Sequence, residues 1–170
     1  MSPQATELAS SSGVSFDLTE DQQAVREMVR AFAEEEIRPI AQKIDETHEF
    51  PMETTKKMAE LGLLGMFVPE EWGGAGMDYL SYVIAVEELS RVCASHGVIC
   101  SVNNSLVCYP ILEYGNDAQK RKYLMPLARG EKLGCYCLTE PNAGSNAANQ
   151  QTAAVADGDH YVLNGTKVRQ

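Results

Sequence analysis

Apolar positions recur every three or four residues through most of the chain and shift towards alternation near its C-terminal end. Val25, Met28, Val29, Phe32, Ala33, Ile37, Ile40, Ala41 and Ile44 keep helical spacing, and Thr19 with Gln22 ahead of them has the arrangement of a capping box. One long amphipathic helix is predicted. Pro39 should kink or split it near Arg38, because the proline ring clashes with the preceding turn and its nitrogen carries no proton. The run Glu34-Glu35-Glu36 reads as a solvated face, and Pro51 opens a second helix through Met58 and Leu61 that Gly62 closes.

Leu63 to Met77 is apolar and glycine-rich, a compact connection that contains Trp72. Gly74 and Gly76 invite a dinucleotide reading, but Tyr79 stands where the third glycine belongs, so a Rossmann fingerprint is rejected. Tyr79 to Ala94 carries Tyr82, Val83, Val86, Leu89 and Val92 on one helical side. A further helix from Val98 to Leu112 is nearly apolar all round and is therefore predicted to be central. Asn103 and Asn104 interrupt it, and since a buried unsatisfied amide costs about 1–3 kcal/mol, each should have a partner. Asn116 caps one more helix from Asp117 to Leu124, after which Pro126 and Gly130 mark a change of character. From Lys132 the period approaches two. Strands are predicted at Leu133–Leu138, Thr152–Ala156 and Tyr161–Leu163, with a further candidate from Lys167 and a turn at Asp157-Gly158-Asp159. The expected division is a loose Ser-rich tail over 1–15, a helical domain over 16–130 and an incomplete β domain over 131–170.

Composition narrows the classes. In 170 residues, 24 acidic side chains against 14 basic ones give a net charge of −10, which disfavours a nucleic-acid surface or a polybasic membrane anchor. No apolar run approaches the roughly 20 residues of a membrane span. Cys93, Cys100, Cys108, Cys135 and Cys137 contain no Cys-x-x-Cys pair, and His48, His96 and His160 stand alone as surface or capping residues, so no metal site is indicated. Reduced thiols imply a reducing compartment, the bacterial cytoplasm or the mitochondrial matrix. The opening tail has no Arg and carries Glu7, unlike a transit peptide.

The stretch with most chemistry is Cys135-Tyr136-Cys137-Leu138-Thr139-Glu140-Pro141-Asn142-Ala143-Gly144-Ser145-Asn146. It reads as a buried strand that Pro141 stops, followed by small residues that let a ligand approach the main-chain N–H groups. The hydroxyls of Thr139 and Ser145 add polar handles for a phosphate or a heteroaromatic edge. On chemistry alone an ordinary turn is the first reading and a ligand cradle the second.

Leu-Thr-Glu-Pro-Asn-Ala-Gly-Ser is similar to the signature of the acyl-CoA dehydrogenases. The segments Val86-Glu87-Glu88-Leu89-Ser90, Pro69-Glu70-Glu71-Trp72-Gly73-Gly74, Tyr114-Gly115-Asn116-Asp117-Ala118-Gln119-Lys120 and Leu163-Asn164-Gly165-Thr166-Lys167 resemble that family in the family's order. The likeness runs from about Phe16 to Lys167. It implies a mainly α fold, the family's N-terminal helical domain followed by the start of its central β domain. It also implies FAD as cofactor, a short-chain acyl-CoA as substrate, electron-transfer flavoprotein as electron acceptor, and a homo-oligomer for the complete protein. By resemblance, Tyr136, Cys137, Leu138, Thr139, Gly144 and Ser145 contact the flavin, Ser145 also meets the coenzyme A portion, and Cys100, Asn103 and Asn104 lie near the acyl chain. Asn146 departs from the aspartate common after Gly-Ser. The family's catalytic glutamate belongs to a C-terminal bundle, so no residue here is assigned as base. Glu87, Glu88 and Glu140 read instead as structural. After Asn-Gly-Thr-Lys the family continues within one residue to Trp-Ile-Thr, where this chain reads Val168-Arg169-Gln170. The rival readings are a non-catalytic truncated isoform or interaction module, and a flavin- or nucleotide-binding protein of other chemistry.

Overall fold

The computed structural model describes residues 17–168. The expectation of a loose tail over 1–15 lies outside them. The element order is α1 (Glu20–Phe32), a π turn (Ala33–Ile37), α2 (Arg38–Thr47), α3 (Met52–Glu60), α4 (Tyr79–Val92), α5 (Ala94–Ser101), a second π turn (Val102–Cys108), α6 (Tyr109–Tyr114), α7 (Asp117–Gln119), a third π turn (Lys120–Leu124) and α8 (Met125–Ala128). A hairpin of β1 (Ala153–Asp157) and β2 (His160–Asn164) follows. The chain is therefore mainly α, with a two-stranded sheet at its C-terminal side.

The capping box forms as the sequence requires: Gln22 N donates to Thr19 Oγ1 at 3.2 Å, and Thr19 N donates back to Gln22 Oε1 at 3.0 Å. Pro39 does divide the long helix at Arg38, through a wide turn that ends at Ile37, just ahead of the proline. A π turn adds a residue to one turn of backbone, which absorbs a proline without breaking the helix. The same device carries the chain past Pro110 and Pro126, so the helix that Asn116 caps does not stop at Leu124 but runs on to Ala128. Gly62 closes α3 at φ +74°, a conformation that glycine adopts without steric cost.

Val25, Val29, Phe32, Ala33 and Ile37 pack with Met58, Leu89 and Cys100 around the connection residues Leu63, Leu64 and Met66. A second cluster joins Val68 to Cys108, Leu124 and Ala128. The connection lies inside the molecule, yet its backbone is satisfied: Ala75 N donates to Gly65 O at 2.9 Å, Gly76 N to Val68 O at 2.9 Å and Met77 N to Met66 O at 2.7 Å. Gly74 is required there, since a Cβ would stand 2.1 Å from Val68 O.

Charge is organised across the helices. Glu88 is 3% exposed and takes two bonds from Arg30, at 2.6 and 3.0 Å, and one from Arg91 at 3.2 Å. These guanidiniums, Arg30 first, hold its carboxyl below the usual carboxylate range. Arg91 and Arg38 also pair with Glu34, and Lys57 pairs with Glu36 at 2.6 Å, so the acidic run is partly engaged rather than merely solvated.

Four expectations are corrected. Residues 133–139 form no ladder with another strand among the described residues, so the segment is not a buried strand. Cys135, Tyr136 and Cys137 are exposed. Alternation had supplied a two-faced segment without naming a neighbour to cover it. The helical stretch from Ala94 to Tyr114 is not covered all round, because Val98, Leu106 and Tyr109 are exposed on it. His96 is neither surface nor cap. It is fully buried, shares a 2.7 Å hydrogen bond with Thr54 Oγ1, and burial pushes its pKa down. The candidate strand from Lys167 is likewise not formed at Lys167 and Val168.

The hairpin pairs Ala153 with Asn164 through to Asp157 with His160. That register leaves Gly158 and Asp159 as a two-residue loop, and Gly158 takes φ +65° at its first position, as a type II′ turn demands. Every residue of β1 and β2 is exposed.

Candidate functional site

The second π turn carries Asn103 and Asn104 side by side, and both are buried. Asn104 Oδ1 accepts from Met66 N at 2.7 Å, while its Nδ2 donates to Leu63 O at 2.8 Å and Cys100 O at 2.9 Å. Asn103 Nδ2 donates to Leu64 O at 2.7 Å and Leu127 O at 3.2 Å. Each amide thus has the partners its burial requires. Asn103 Oδ1 also accepts from Gly134 N at 3.4 Å, which ties the residues after α8 to the helices. Gly134 presses so closely that a Cβ there would lie 2.2 Å from Val107 Cγ1.

That pin opens a cleft of about 480 Å³ between the helical stretch and residues 133–136. Its walls include Val98, Val102, Leu106, Leu133, Asn103 and Tyr136. Val98, Val102 and Leu106 stand at positions i, i+4 and i+8, so helical spacing could have found this wall. Phe50 and Leu133 carry no comparable sequence signal. Asn103 and Tyr136 come together in the cleft. Cys100 and Asn104 do not line it: both are fully buried behind its wall, and the Cys100 thiol donates to Leu63 O at 3.2 Å.

Cys137, Leu138 and Thr139 continue from the cleft into the turn. Leu138 O accepts from Gln150 Nε2 at 2.6 Å and from Lys167 Nζ at 3.2 Å, and Thr139 O accepts from Val168 N at 2.9 Å. The sequence offered no sign of these long-range partners. Glu140 and Ala143 exchange backbone hydrogen bonds of 3.0 and 3.1 Å around Pro141 and Asn142. The Glu140 carboxylate points back under the turn, where it accepts from Gln151 N at 2.6 Å, Thr152 N at 3.0 Å and Lys167 Nζ at 2.9 Å. Thr152 first, then the Gln151 amide and Lys167, hold its pKa down to about 2. A carboxylate so satisfied orders backbone and is a poor proton acceptor. Beyond the turn, Gly144 and Ser145 are exposed, and a Cβ on Gly144 would meet nothing within 4 Å. The backbone there is open to approach by a large ligand.

The helical layer thus pins residues 133–136 beside an apolar cleft, and the Leu-Thr-Glu-Pro-Asn-Ala-Gly-Ser turn follows them in the chain. The family profile described as "Acyl-CoA dehydrogenase, N-terminal domain" matches residues 19–131, and the chain belongs to the acyl-CoA dehydrogenase family. It is 58% identical over 153 residues to the short-chain specific acyl-CoA dehydrogenase of Clostridium acetobutylicum, an alignment covering 90% of this chain and 40% of that protein. Butyryl-CoA dehydrogenase of Megasphaera elsdenii superposes with a TM-score of 0.86 at 39% identity, over 91% of this chain and 42% of the other. An acyl-CoA dehydrogenase of Bacillus anthracis, solved in complex with FAD, superposes with a TM-score of 0.82 at 39% identity, over 89% of this chain and 26% of the other. The chain spans well under half the length of these relatives. No helix among the described residues is long and apolar enough to cross a membrane.

Proposed function

We propose that this chain supplies one wall of an FAD-dependent site that removes hydrogen from the α and β carbons of a short-chain acyl-CoA. The observation that carries the reading is the apolar cleft lined by Asn103, Leu133 and Tyr136, on the same segment that leads on to a turn whose Gly144 and Ser145 are exposed. The bound flavin would accept the β-hydride and pass its electrons to an electron-transfer flavoprotein. Tyr136, Cys137, Leu138 and Thr139 would meet the flavin ring, and Gly144 and Ser145 its phosphates, with Ser145 also touching the coenzyme A portion. The small exposed residues of the turn fit such a group. Asn146 brings no charge to it, unlike the family's usual aspartate.

Short acyl chains are favoured by the polar floor that Asn103 gives the cleft, because an amide does not replace the apolar contacts of a long alkyl tail. Cys100 and Asn104 act from behind the wall, by holding Leu63 and Met66 in place. The base that takes the α-proton comes from outside the described residues: among them no carboxylate lines the cleft, Glu88 is held by arginines and Glu140 by its own turn. The 170-residue chain by itself is therefore inactive. A reducing compartment, the bacterial cytoplasm or the mitochondrial matrix, suits the five free thiols.

Residues 1–170 saturated with FAD and mixed anaerobically with butyryl-CoA should show no flavin bleaching at a useful rate, whereas a chain of the relatives' full length should bleach. In that longer chain Thr139→Val should weaken FAD binding or shift the flavin spectrum, and butyryl-CoA should turn over faster than palmitoyl-CoA. Preference for palmitoyl-CoA would overturn the substrate reading. Bleaching by the 170-residue chain would show that it holds a base.

A further inference from the structure

Phe50 borders two hollows at once. The cleft at Asn103 and Tyr136 has Phe50, Val98 and Ile99 in its wall, and so does a neighbouring groove of about 440 Å³. The helical stretch runs along both: Ala94 and Ser95 line the groove, Val98 and Ile99 line both hollows, and Val102 and Leu106 line the cleft. Phe50 is the one shared residue that comes from elsewhere, the connection between α2 and α3. Its backbone is held on either side. His48 ends α2 at φ +57° with its N–H on Ile44 O at 2.9 Å, and Pro51, at φ −80° and ψ 65°, makes an inverse γ-turn closed by Met52 N on Phe50 O at 2.8 Å. The Phe50 side chain is 53% exposed and stands outside the two buried clusters.

We propose that Phe50 sets the length of acyl chain accepted: its ring divides the cleft from the groove and stops a tail that would otherwise run on along the helical stretch. The inference rests on the reading of the cleft as an acyl site. Asn103 gives the cleft its polar floor but does not line the groove. Past Phe50 the groove offers Ile44, Pro51 and Ala94 together with Val98 and Ile99, carbon surface on which further methylenes would be buried. Asp45, His48 and Glu49 border it too, so the extension suits a few methylenes and not a palmitoyl tail. Removing the ring therefore joins the two hollows. Widening the cleft at Leu133, which lines the cleft alone, does not.

The test measures kcat/KM for butyryl-, hexanoyl- and octanoyl-CoA in an FAD-loaded chain of the relatives' full length and in its variants. Phe50→Ala should raise the octanoyl-to-butyryl ratio roughly tenfold over the parent, the low end of what one methylene in an apolar pocket is worth. Leu133→Ala should leave that ratio near the parent's. Ser95→Trp fills the groove alone: by itself it should leave butyryl-CoA turnover unchanged, and combined with Phe50→Ala it should cancel the gain. Phe50, Leu133 and Ser95 are all exposed, so circular dichroism should show one fold throughout. A parent-like ratio in Phe50→Ala, an equal gain in Leu133→Ala, or a gain that survives Ser95→Trp would each overturn the proposal while leaving the acyl reading intact. A parent that does not turn over butyryl-CoA, or that prefers palmitoyl-CoA, would overturn that reading and this inference with it.

Discussion

Two polar side chains, Asn104 among the helices and Glu140 beneath the hairpin, do the same task in opposite surroundings. Each gathers backbone groups from a distant segment. Asn104 is fully buried and bonds Met66 and Leu63 from a different part of the chain. Glu140 gathers Gln151, Thr152 and Lys167, but the strands it supports are exposed throughout. Around Asn104 lie the apolar contacts of Leu63, Leu64, Met66 and Cys100. Around the hairpin, Val155, Tyr161 and Leu163 are 58%, 70% and 72% exposed. The same kind of bond is therefore worth more in the first place, where water cannot replace a lost partner, than in the second. The helical region closes its own core, and the β region presents open faces.

The largest effect should come from Asn104→Ala. It leaves Met66 N without its partner inside the core and Leu63 O with only the Cys100 thiol, at a cost of about 3 kcal/mol, and chemical denaturation followed by circular dichroism measures it. A loss below about 1 kcal/mol would show that water reaches the connection.

Glu140 should give a smaller, pH-dependent effect. Its folded pKa of about 2 lies below the ordinary value of 4.5, so its contribution is complete above 4.5 and fades as pH falls towards 2. The amide resonances of Gln151 and Thr152 should titrate with a midpoint near 2 in the parent. In Glu140→Gln that transition should vanish, with faster amide exchange at both positions. A midpoint near 4.5 would mean that the three bonds are not made together.

The smallest effect is expected at the hairpin surface. Leu163→Ser removes an apolar side chain already 72% exposed and should change the stability of the helical region by less than about 0.5 kcal/mol. A larger loss would mean that the strands pack on something.

The sequence carried much of this contrast. Helical spacing placed α1 to α4, Thr19 with Gln22 and Asn116 announced their caps, and two asparagines in an apolar helix had to be satisfied. The π turns were not legible, because one extra residue in a turn leaves the apolar period almost unchanged over a short window. Proline at positions 39, 110 and 126 was the only trace of them. The segment 133–139 was misread as buried because alternation gives a strand two faces and says nothing of what covers either. In the site, the small residues of the turn were visible as a motif. The cleft was not, since it depends on Gly134 meeting Asn103 and Val107 across 31 and 27 positions of sequence.

Amide hydrogen exchange across the whole chain puts the contrast to the sharpest test. The Met66 N–H, held by Asn104 Oδ1, should exchange only through global unfolding, together with the interior amides of α1 and α4. The amides of β1 and β2 should exchange through local opening, many times faster. Equal protection in the hairpin and the helices would contradict a closed helical core beside an open β face.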